Sequence, residues 1–222
     1  MTIYEFESKV NLVGDFAIGI DNSAIKNETM FFNCDLKFAY ENGNEITRSF
    51  IDSLPDEWKT DDVVFDSRVH MLMEGWYPCI AGYHHDDVPR TKKENGQPDY
   101  DDMSYKAQHI LGIVNADVAP THFALGTTKF YKIDSTSGVN VYKAWNDEVI
   151  KQLNDGHLKL HKAGDRLLYE FDWQTWHTGS SAVGNGWRWF GRVSRNTDRT
   201  KNITNEIRRQ VQVYMDNLTE GW

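Results

Sequence analysis

The residue types best suited to bind a metal ion are concentrated in one short segment, residues 82–90 (GYHHDDVPR). On an extended strand, residues two apart project from the same face, so a histidine and the carboxylate two positions later can reach one ion. Two registers satisfy this spacing, His84 with Asp86 and His85 with Asp87, and the spacing does not separate them. Together with a second, distant histidine, such a pair forms a 2-His-1-carboxylate facial triad, which leaves metal positions open for co-substrates.

A distant histidine in a suitable setting is His177. The sequence before it predicts a turn and an alternating strand, and a glycine-rich turn after it leads into a return strand. On the return strand Arg188, Arg192 and Ser194 share one face, because they lie an even number of residues apart. A guanidinium fork suits a carboxylate, and a serine hydroxyl can donate a further hydrogen bond to the same group.

In order and spacing, these motifs resemble the iron(II)- and 2-oxoglutarate-dependent oxygenase superfamily, over about residues 76–195. The resemblance implies that His84, Asp86 and His177 bind Fe(II), and its glycine and aromatic residue before the first histidine favour that register. It also implies that an arginine beyond the distal histidine holds the far carboxylate of 2-oxoglutarate. Arg192 with Ser194 is the preferred candidate, and Arg188 would then meet the substrate or the other end of the co-substrate.

The reaction that the resemblance implies is oxidative decarboxylation of 2-oxoglutarate to succinate and carbon dioxide. Dioxygen is the oxidant, and a small-molecule substrate is hydroxylated. Asp86 supplies a carboxylate where halogenating relatives carry a small residue, so hydroxylation is expected over halogenation. Aspartates near the expected mouth favour a cationic substrate through their charge. They are Asp86, Asp87, Asp99, Asp101 and Asp102.

Two other functions stay open at this point. A nucleobase-oxidising enzyme of the same superfamily would use the locally basic segment 188–209 to hold phosphate, although the formal net charge of −9 makes nucleic acid the less favoured partner. A cupin-like protein that binds a metal or a sugar would not use 2-oxoglutarate. Such a protein has no need to align Arg192 and Ser194 with His177.

The elements that must position these residues are mostly strands. Hydrophobic alternation predicts strands at residues 28–40, 109–114, 122–133, 166–173, 186–194 and 210–215, the last with a helical alternative. Helices are predicted at residues 44–58 and 141–153. The fold class expected is therefore mainly β, and the family resemblance specifies a double-stranded β-helix of jelly-roll or cupin type with a few flanking helices.

Several further features carry weaker expectations. The polar stretch 86–104 predicts a long loop that covers the active site, or else a surface insertion. His157 and His161 have the spacing of a helical zinc pair but no nearby carboxylate or thiol partner, and His122 is expected to pack in the core. The two cysteines, Cys34 and Cys79, are expected to be ordinary thiols.

The chain as a whole is expected to be one oxygenase domain, residues 1–222. No secretory signal and no membrane-spanning apolar run is visible in the sequence, so a cytoplasmic location without membrane association is expected.

Overall fold

A computed structural model describes residues 2–90, 96–133 and 139–215. Strands predominate. They are β1 (Ile3–Ser8), β2 (Asn11–Asp15), β3 (Met30–Phe32), β4 (Val63–Leu72), β5 (Gln108–Val114), β6 (Thr121–Tyr131), β7 (Lys159–Lys162), β8 (Leu167–Asp172), β9 (Trp176–Gly179), β10 (Gly186–Arg195) and β11 (Glu206–Arg208). The α-helices are α1 (Leu36–Asn42), α2 (Glu45–Asp52) and α3 (Val141–Asn154), with short 3-10 turns at Asn22–Asn27, Asp56–Trp58 and Asp198–Lys201.

The larger sheet has five antiparallel strands in the order β2-β8-β5-β10-β4. Strand β10 lies between β4 and β5, and its ladder with β4 pairs every residue from Gly186–Arg195 with a partner on β4. Because side chains alternate across a strand, one face of β10 presents Arg188 and Arg192, and the other presents Trp189 and Val193 to the largest hydrophobic core. The chemistry-bearing residues and the packing residues therefore occupy opposite faces of the same strand.

The second sheet is built around β6. Its first half pairs with β7 on one side and β9 on the other, and its second half pairs with β1. An isolated bridge joins His84 to His177 of β9, which adds the segment after β4 to the free edge of this sheet. Along the chain, the strands from β4 to β10 thus move back and forth between two sheets. This is a double-stranded β-helix, and the predicted jelly-roll class is confirmed.

The outer face of the larger sheet is covered by α1, α2 and the short 3-10 turns. Helix α2 buries one stripe, including Ile46 and Phe50, against the sheet. Phe16 reaches the same core because Gly112 on β5 and Gly191 on β10 lie directly opposite each other in the ladder and leave room for large rings. Helix α3 packs against the second sheet, where Trp145 contacts Phe130 of β6 with ring centroids 4.9 Å apart.

The structure corrects two of the element predictions. Residues 28–40 are not one strand: only Met30–Phe32 is extended, and α1 begins at Leu36 because the Asp35 side chain caps it by accepting a hydrogen bond from the Phe38 backbone N–H. Residues 210–215 form neither a strand nor a helix, and they contribute only a bridge between Tyr214 and Tyr77.

The remaining element predictions agree with the structure to within a few residues. The predicted helix at 44–58 is α2 followed by a 3-10 turn, and the predicted helix at 141–153 is α3. Within 86–104, the described residues contain one bridge, Arg90 with Pro98, and no longer strand or helix, while residues 91–95 lie outside the described part. Both cysteines are free thiols. In the described ranges no helix has the length and apolarity needed to span a membrane.

A methyl group at position 112 tests the packing between the larger sheet and its helical cover. A Cβ there would lie 2.6 Å from Cε1 of Phe16 and 3.0 Å from Cε2 of Phe50, so we expect Gly112→Ala to lower the free energy of unfolding by about 1–3 kcal/mol. Urea denaturation followed by tryptophan fluorescence measures this change. Gly184→Ala is the matched control, since a Cβ at Gly184 meets nothing within 4 Å. Equal stability of both variants would contradict the packing described.

Candidate functional site

The three residues expected to bind metal are brought together by the backbone. The N–H of His84 donates to the carbonyl of His177 at 3.1 Å, and the N–H of His177 donates back at 3.2 Å. This bridge places the two imidazole rings on the same face with centroids 4.5 Å apart. Asp86, two residues beyond His84, points to the same side. Its carboxylate lies 2.9 Å from Nε2 of His177 and 3.8 Å from Nε2 of His84.

Helix α3 holds the segment that carries His84 and Asp86. The hydroxyl of Tyr142 donates to the carbonyl of His85 at 2.9 Å, and the backbone N–H of Tyr83 donates to the side-chain oxygen of Asn146 at 2.8 Å. Both contacts are buried, so the segment is fixed by hydrogen bonds on its helix side and by the bridge to His177 on its sheet side. A short segment fixed on both sides can hold ligand side chains in place before any ion binds.

The tautomers of the two histidines suit metal binding. Nδ1 of His84 lies 2.9 Å from the carbonyl oxygen of Gly82, and Nδ1 of His177 lies 2.9 Å from that of Thr175. A carbonyl oxygen only accepts, so each Nδ1 carries a proton, and each Nε2, on the side of Asp86, is the nitrogen that a metal ion would take. This outer-shell arrangement is typical of metal-binding histidines. Among the described residues, these three form the one group of potential ligands whose atoms all lie within 4.8 Å of one another.

Burial and the neighbouring charges favour a neutral His84 and an ionised Asp86. Burial, together with the neighbouring His177, lowers the pKa of His84 to about 3. Burial alone would raise the pKa of Asp86, but the guanidinium of Arg192 holds it well below its ordinary value. Metal ions bind imidazole and carboxylate in these deprotonated forms. The residues present therefore fit a divalent cation.

The side chains of the other register, His85 and Asp87, have different partners. The ring of His85 stacks on Trp176 with centroids 3.7 Å apart, and its Nδ1 lies 2.8 Å from the hydroxyl of Tyr100. Asp87 lies beside Arg199, with 3.4 Å between its carboxylate and the guanidinium. His85 and Asp87 thus take part in packing and ion pairing, and the structure does not bring them together with His177.

The triad opens onto a cavity of about 270 Å³ between the two sheets. Two neighbouring strands of the larger sheet supply much of its wall. In register, Asp66, Arg68 and His70 of β4 stand opposite Arg192, Phe190 and Arg188 of β10. The second sheet contributes Thr121 and Gly179. Such a concave site with a few convergent polar groups is the usual form of a small-molecule site.

Arg192 and Ser194 share a face of β10, as predicted, but have different partners. The guanidinium of Arg192 contacts Asp86 through Nη1 and lies 3.6 Å from Asp66 through Nη2. Burial opposes the charge of Arg192, yet these carboxylates raise its pKa above the ordinary value. Ser194 is fully buried, and its Oγ lies 2.8 Å from Nδ1 of His109. The serine is not among the residues that line the cavity.

Arg188 has no carboxylate partner among the described residues. It is 2% exposed, and its Nε donates to the carbonyl of Ala119 at 2.7 Å while Nη2 lies 3.4 Å from the hydroxyl of Thr121. Burial lowers its pKa to about 10, a shift that Cys79 slightly opposes. A buried cation without a counter-charge is costly, and Arg188 lines the cavity. An anion in the cavity would offset that cost.

Sequence reasoning missed the residues of β4. The stretch 63–72 (VVFDSRVHML) places Asp66, Arg68 and His70 at alternate positions within an apolar run, a pattern that indicates one polar and one buried face. Sequence reasoning also missed Thr121 and Arg199. Of the other histidines, His161 lies on β7 against Phe123 and Tyr169. Neither His122 nor His161 lines the cavity.

Comparisons with known proteins find only weak structural similarity. No protein-family model matches the sequence, and no curated protein matches it at a significant level. Among solved structures, two crystal structures of EvdO2 from Micromonospora carbonacea var. aurantiaca, one complexed with 2-oxoglutarate, are similar with TM-scores of 0.34 and 0.35 and sequence identities of 11% and 10%. Each covers 80% of this chain, which spans 61% of the EvdO2 chain. Similarity at this level is no evidence of a shared activity.

Removal of one ligand side chain tests whether the triad binds a metal ion. We expect His177→Ala and Asp86→Ala to weaken Mn²⁺ binding by more than the roughly 100-fold that loss of an outer-shell partner can cost. Titration calorimetry of the metal-free protein measures the affinity, and thermal melting shows whether each variant folds. His122→Ala, which removes a histidine outside the cavity, should bind Mn²⁺ as the unchanged protein does. Retention of full affinity in folded His177→Ala protein would exclude the site.

Proposed function

We propose that this chain is an Fe(II)- and 2-oxoglutarate-dependent oxygenase that hydroxylates a small molecule. The observation that carries the proposal is the convergence of His84, Asp86 and His177 beside a cavity that also contains the guanidinium of Arg188, which has no carboxylate partner among the described residues. A triad alone suits many metalloproteins. A triad with a cationic group in the same cavity suits a metal centre that also binds an organic acid.

The donor set of two imidazoles and one carboxylate is the one that non-haem Fe(II) oxygenases use. His84, Asp86 and His177 would hold the ion. When bound, Fe(II) and 2-oxoglutarate supply an oxidative decarboxylation with dioxygen that yields succinate, carbon dioxide and a hydroxylated product. The presence of Asp86 supports hydroxylation, because a third ligand from the protein leaves no position for a halide in its place.

For the far carboxylate of 2-oxoglutarate we propose Arg188, assisted by the hydroxyl of Thr121. Sequence reasoning preferred Arg192 with Ser194. Two contacts support the change: Arg192 already faces Asp86 and Asp66, and Ser194 is engaged with His109. Arg188 has a buried positive charge and a neighbouring hydroxyl, the two features that recognition of a carboxylate needs.

Arg192 has a different role in this proposal. Its contact with Asp86 fixes the orientation of that carboxylate between the two histidines and keeps it ionised. Leu111 and Phe190 add apolar side chains to the cavity lining, and in this proposal they limit the access of water to the reacting groups. The chain's own residues thus position the acid and exclude solvent, which is how a protein contributes most to cofactor chemistry.

Anaerobic addition of Fe(II) and 2-oxoglutarate tests the proposal. A weak visible charge-transfer band should develop in the unchanged protein and be absent in His177→Ala, which lacks one ligand. Titration of the band with 2-oxoglutarate should give an affinity roughly 10- to 100-fold weaker in Arg188→Gln, as expected when a charge-assisted hydrogen-bonded pair is lost. Arg195→Gln, on the same strand but outside the cavity, is the control.

Other outcomes of this titration have defined meanings. No band from folded protein would favour a cupin-like binding protein that does not use 2-oxoglutarate. The assignment would return to Arg192 if Arg192→Gln bound 2-oxoglutarate more weakly at unchanged Mn²⁺ affinity while Arg188→Gln bound 2-oxoglutarate as tightly as the unchanged protein.

A further inference from the structure

The cavity contains more positive than negative charge. Four arginines line it, Arg68, Arg188, Arg192 and Arg199, against the lining aspartates Asp66 and Asp86 and against Asp87 beside Arg199, which leaves a surplus of one positive charge. The lining histidine His70 adds no charge, since burial lowers its pKa to about 3. A divalent metal ion and a dianionic 2-oxoglutarate cancel each other, so the surplus would persist in the loaded site.

Arg68 is the lining arginine that no proposed role has used and that has no carboxylate partner among the described residues. Its Nη1 donates to the carbonyls of Phe31 and Ser67 at 2.8 and 2.7 Å, which fixes the plane of the guanidinium. Its Nε and Nη2 have no hydrogen-bond partner in the described ranges. Burial lowers the pKa of Arg68; Asp66, two residues before it on β4, opposes that shift, and Arg208, Arg192 and Arg199 add to it. Asp66 is itself paired with Arg199 and lies 3.6 Å from Arg192, so among the described residues Arg68 has no carboxylate of its own.

An aromatic ring organises the cations at this end of the cavity. The guanidinium carbons of Arg208, Arg68 and Arg199 lie 3.8, 5.6 and 5.8 Å from the ring centroid of Phe32. Stacking on an aromatic face stabilises a cation without neutralising it. Arg199 is paired with Asp66 and Arg208 with Glu206. Arg68 is therefore the member of this cluster that is available to a ligand.

Arg68 and Arg188 lie apart in the cavity. Their ladder positions on neighbouring strands differ by two residues, about 7 Å along the strand direction. The side chain of Arg188 turns to Ala119 and Thr121 next to the second sheet, whereas that of Arg68 turns to Phe31 and Phe32 of β3. One small diacid bound between the triad and Arg188 would leave Arg68 free for a second molecule.

We propose that the substrate carries an acid group, a carboxylate or a phosphate monoester, and that Arg68 binds it beside Phe32. The proposal rests on the proposed function, since it assigns the remaining cationic end of the same cavity to the molecule to be oxidised. The planar fork of Arg68 presents Nε and Nη2 to an anion, a geometry that suits both kinds of acid. A cavity of about 270 Å³ restricts the substrate to a small molecule.

This inference replaces the expectation of a cationic substrate. Of the five aspartates on which that expectation was based, only Asp86 lines the cavity. Asp87 lies against Arg199, and Asp101 binds Lys132 and the hydroxyl of Tyr4. Negative charges that are already neutralised, or that lie away from the cavity, do not attract a cation into it.

Binding of matched probes tests the proposal without turnover. Phenylacetate, benzyl phosphate, phenylacetamide and phenethylamine share an aromatic ring and differ in the charge of their end group. Their affinities are measured by titration calorimetry or ligand-observed NMR, with and without saturating Mn²⁺ and 2-oxoglutarate. We expect at least one of the two acids to bind about tenfold or more tightly than the amide and the amine, in both conditions.

Variants assign the binding to Arg68. Arg68→Gln should lose the preference for the acid and retain 2-oxoglutarate affinity, whereas Arg188→Gln should show the reverse. Arg68→Lys, which keeps the charge but not the fork, should retain part of the preference. Arg48→Gln is the matched control, because Arg48 is an exposed arginine beside Tyr40 that lies outside this cavity. Thermal melting establishes that each variant folds.

The outcomes separate this inference from the function on which it rests. Acids that bind no better than phenylacetamide, or that bind folded Arg68→Gln as tightly as the unchanged protein, would overturn it. The inference would also be overturned if neither small acid bound and a single-stranded oligonucleotide bound in a salt-dependent manner that required Arg68. If the acid preference depends on Arg68 but 2-oxoglutarate does not bind, the anion site stands and the proposed oxygenase function fails.

Discussion

The backbone bridge between His84 and His177 is the constraint on which the candidate site depends. It joins a segment between two strands of the larger sheet to the edge of the second sheet, and it brings residues 93 positions apart in the chain to one face. The carbonyls of Gly82 and Thr175 then fix the protonated nitrogens, so both Nε2 atoms face Asp86. Without the bridge, the same side chains would have no fixed separation, and the cost of ordering them would fall on metal binding.

The second governing feature is the row of charges that β4 and β10 present to the cavity. Ion pairs neutralise part of this row: Arg192 faces Asp86 and Asp66, and Arg199 faces Asp66 and Asp87. Arg68 and Arg188 stay without carboxylate partners in the described part of the chain. Desolvated cations are expensive unless an anion accompanies them. The same sheet that stabilises the fold through its outer face thus carries on its inner face the two arginines that we propose bind acids.

Much of the candidate site could be predicted from the sequence. The first histidine and the carboxylate of a facial triad lie two residues apart, and the side chains of β10 alternate between its two faces. The spacing does not separate His84 from His85, and the family resemblance favours His84. The structure adds the stacking of His85 on Trp176, a contact across the fold that no local pattern contains. The partner of Ser194 is likewise a residue on a neighbouring strand, His109. No strand is predicted from the sequence at β4, although the alternation of its residues is present there. The strand predicted at residues 28–40 is wrong because the Asp35 cap that begins α1 outweighs the strand propensity of these residues. The single-domain assignment of residues 1–222 stays a prediction.

A crystal structure of the protein prepared anaerobically with Mn²⁺ and 2-oxoglutarate tests the central claim most directly. The account predicts metal density between Nε2 of His84, Nε2 of His177 and the carboxylate of Asp86, with the oxo-acid end of 2-oxoglutarate on the metal and its far carboxylate on Arg188. Metal density at other residues, or a cavity that contains neither the ion nor the acid at saturating concentrations, would contradict it.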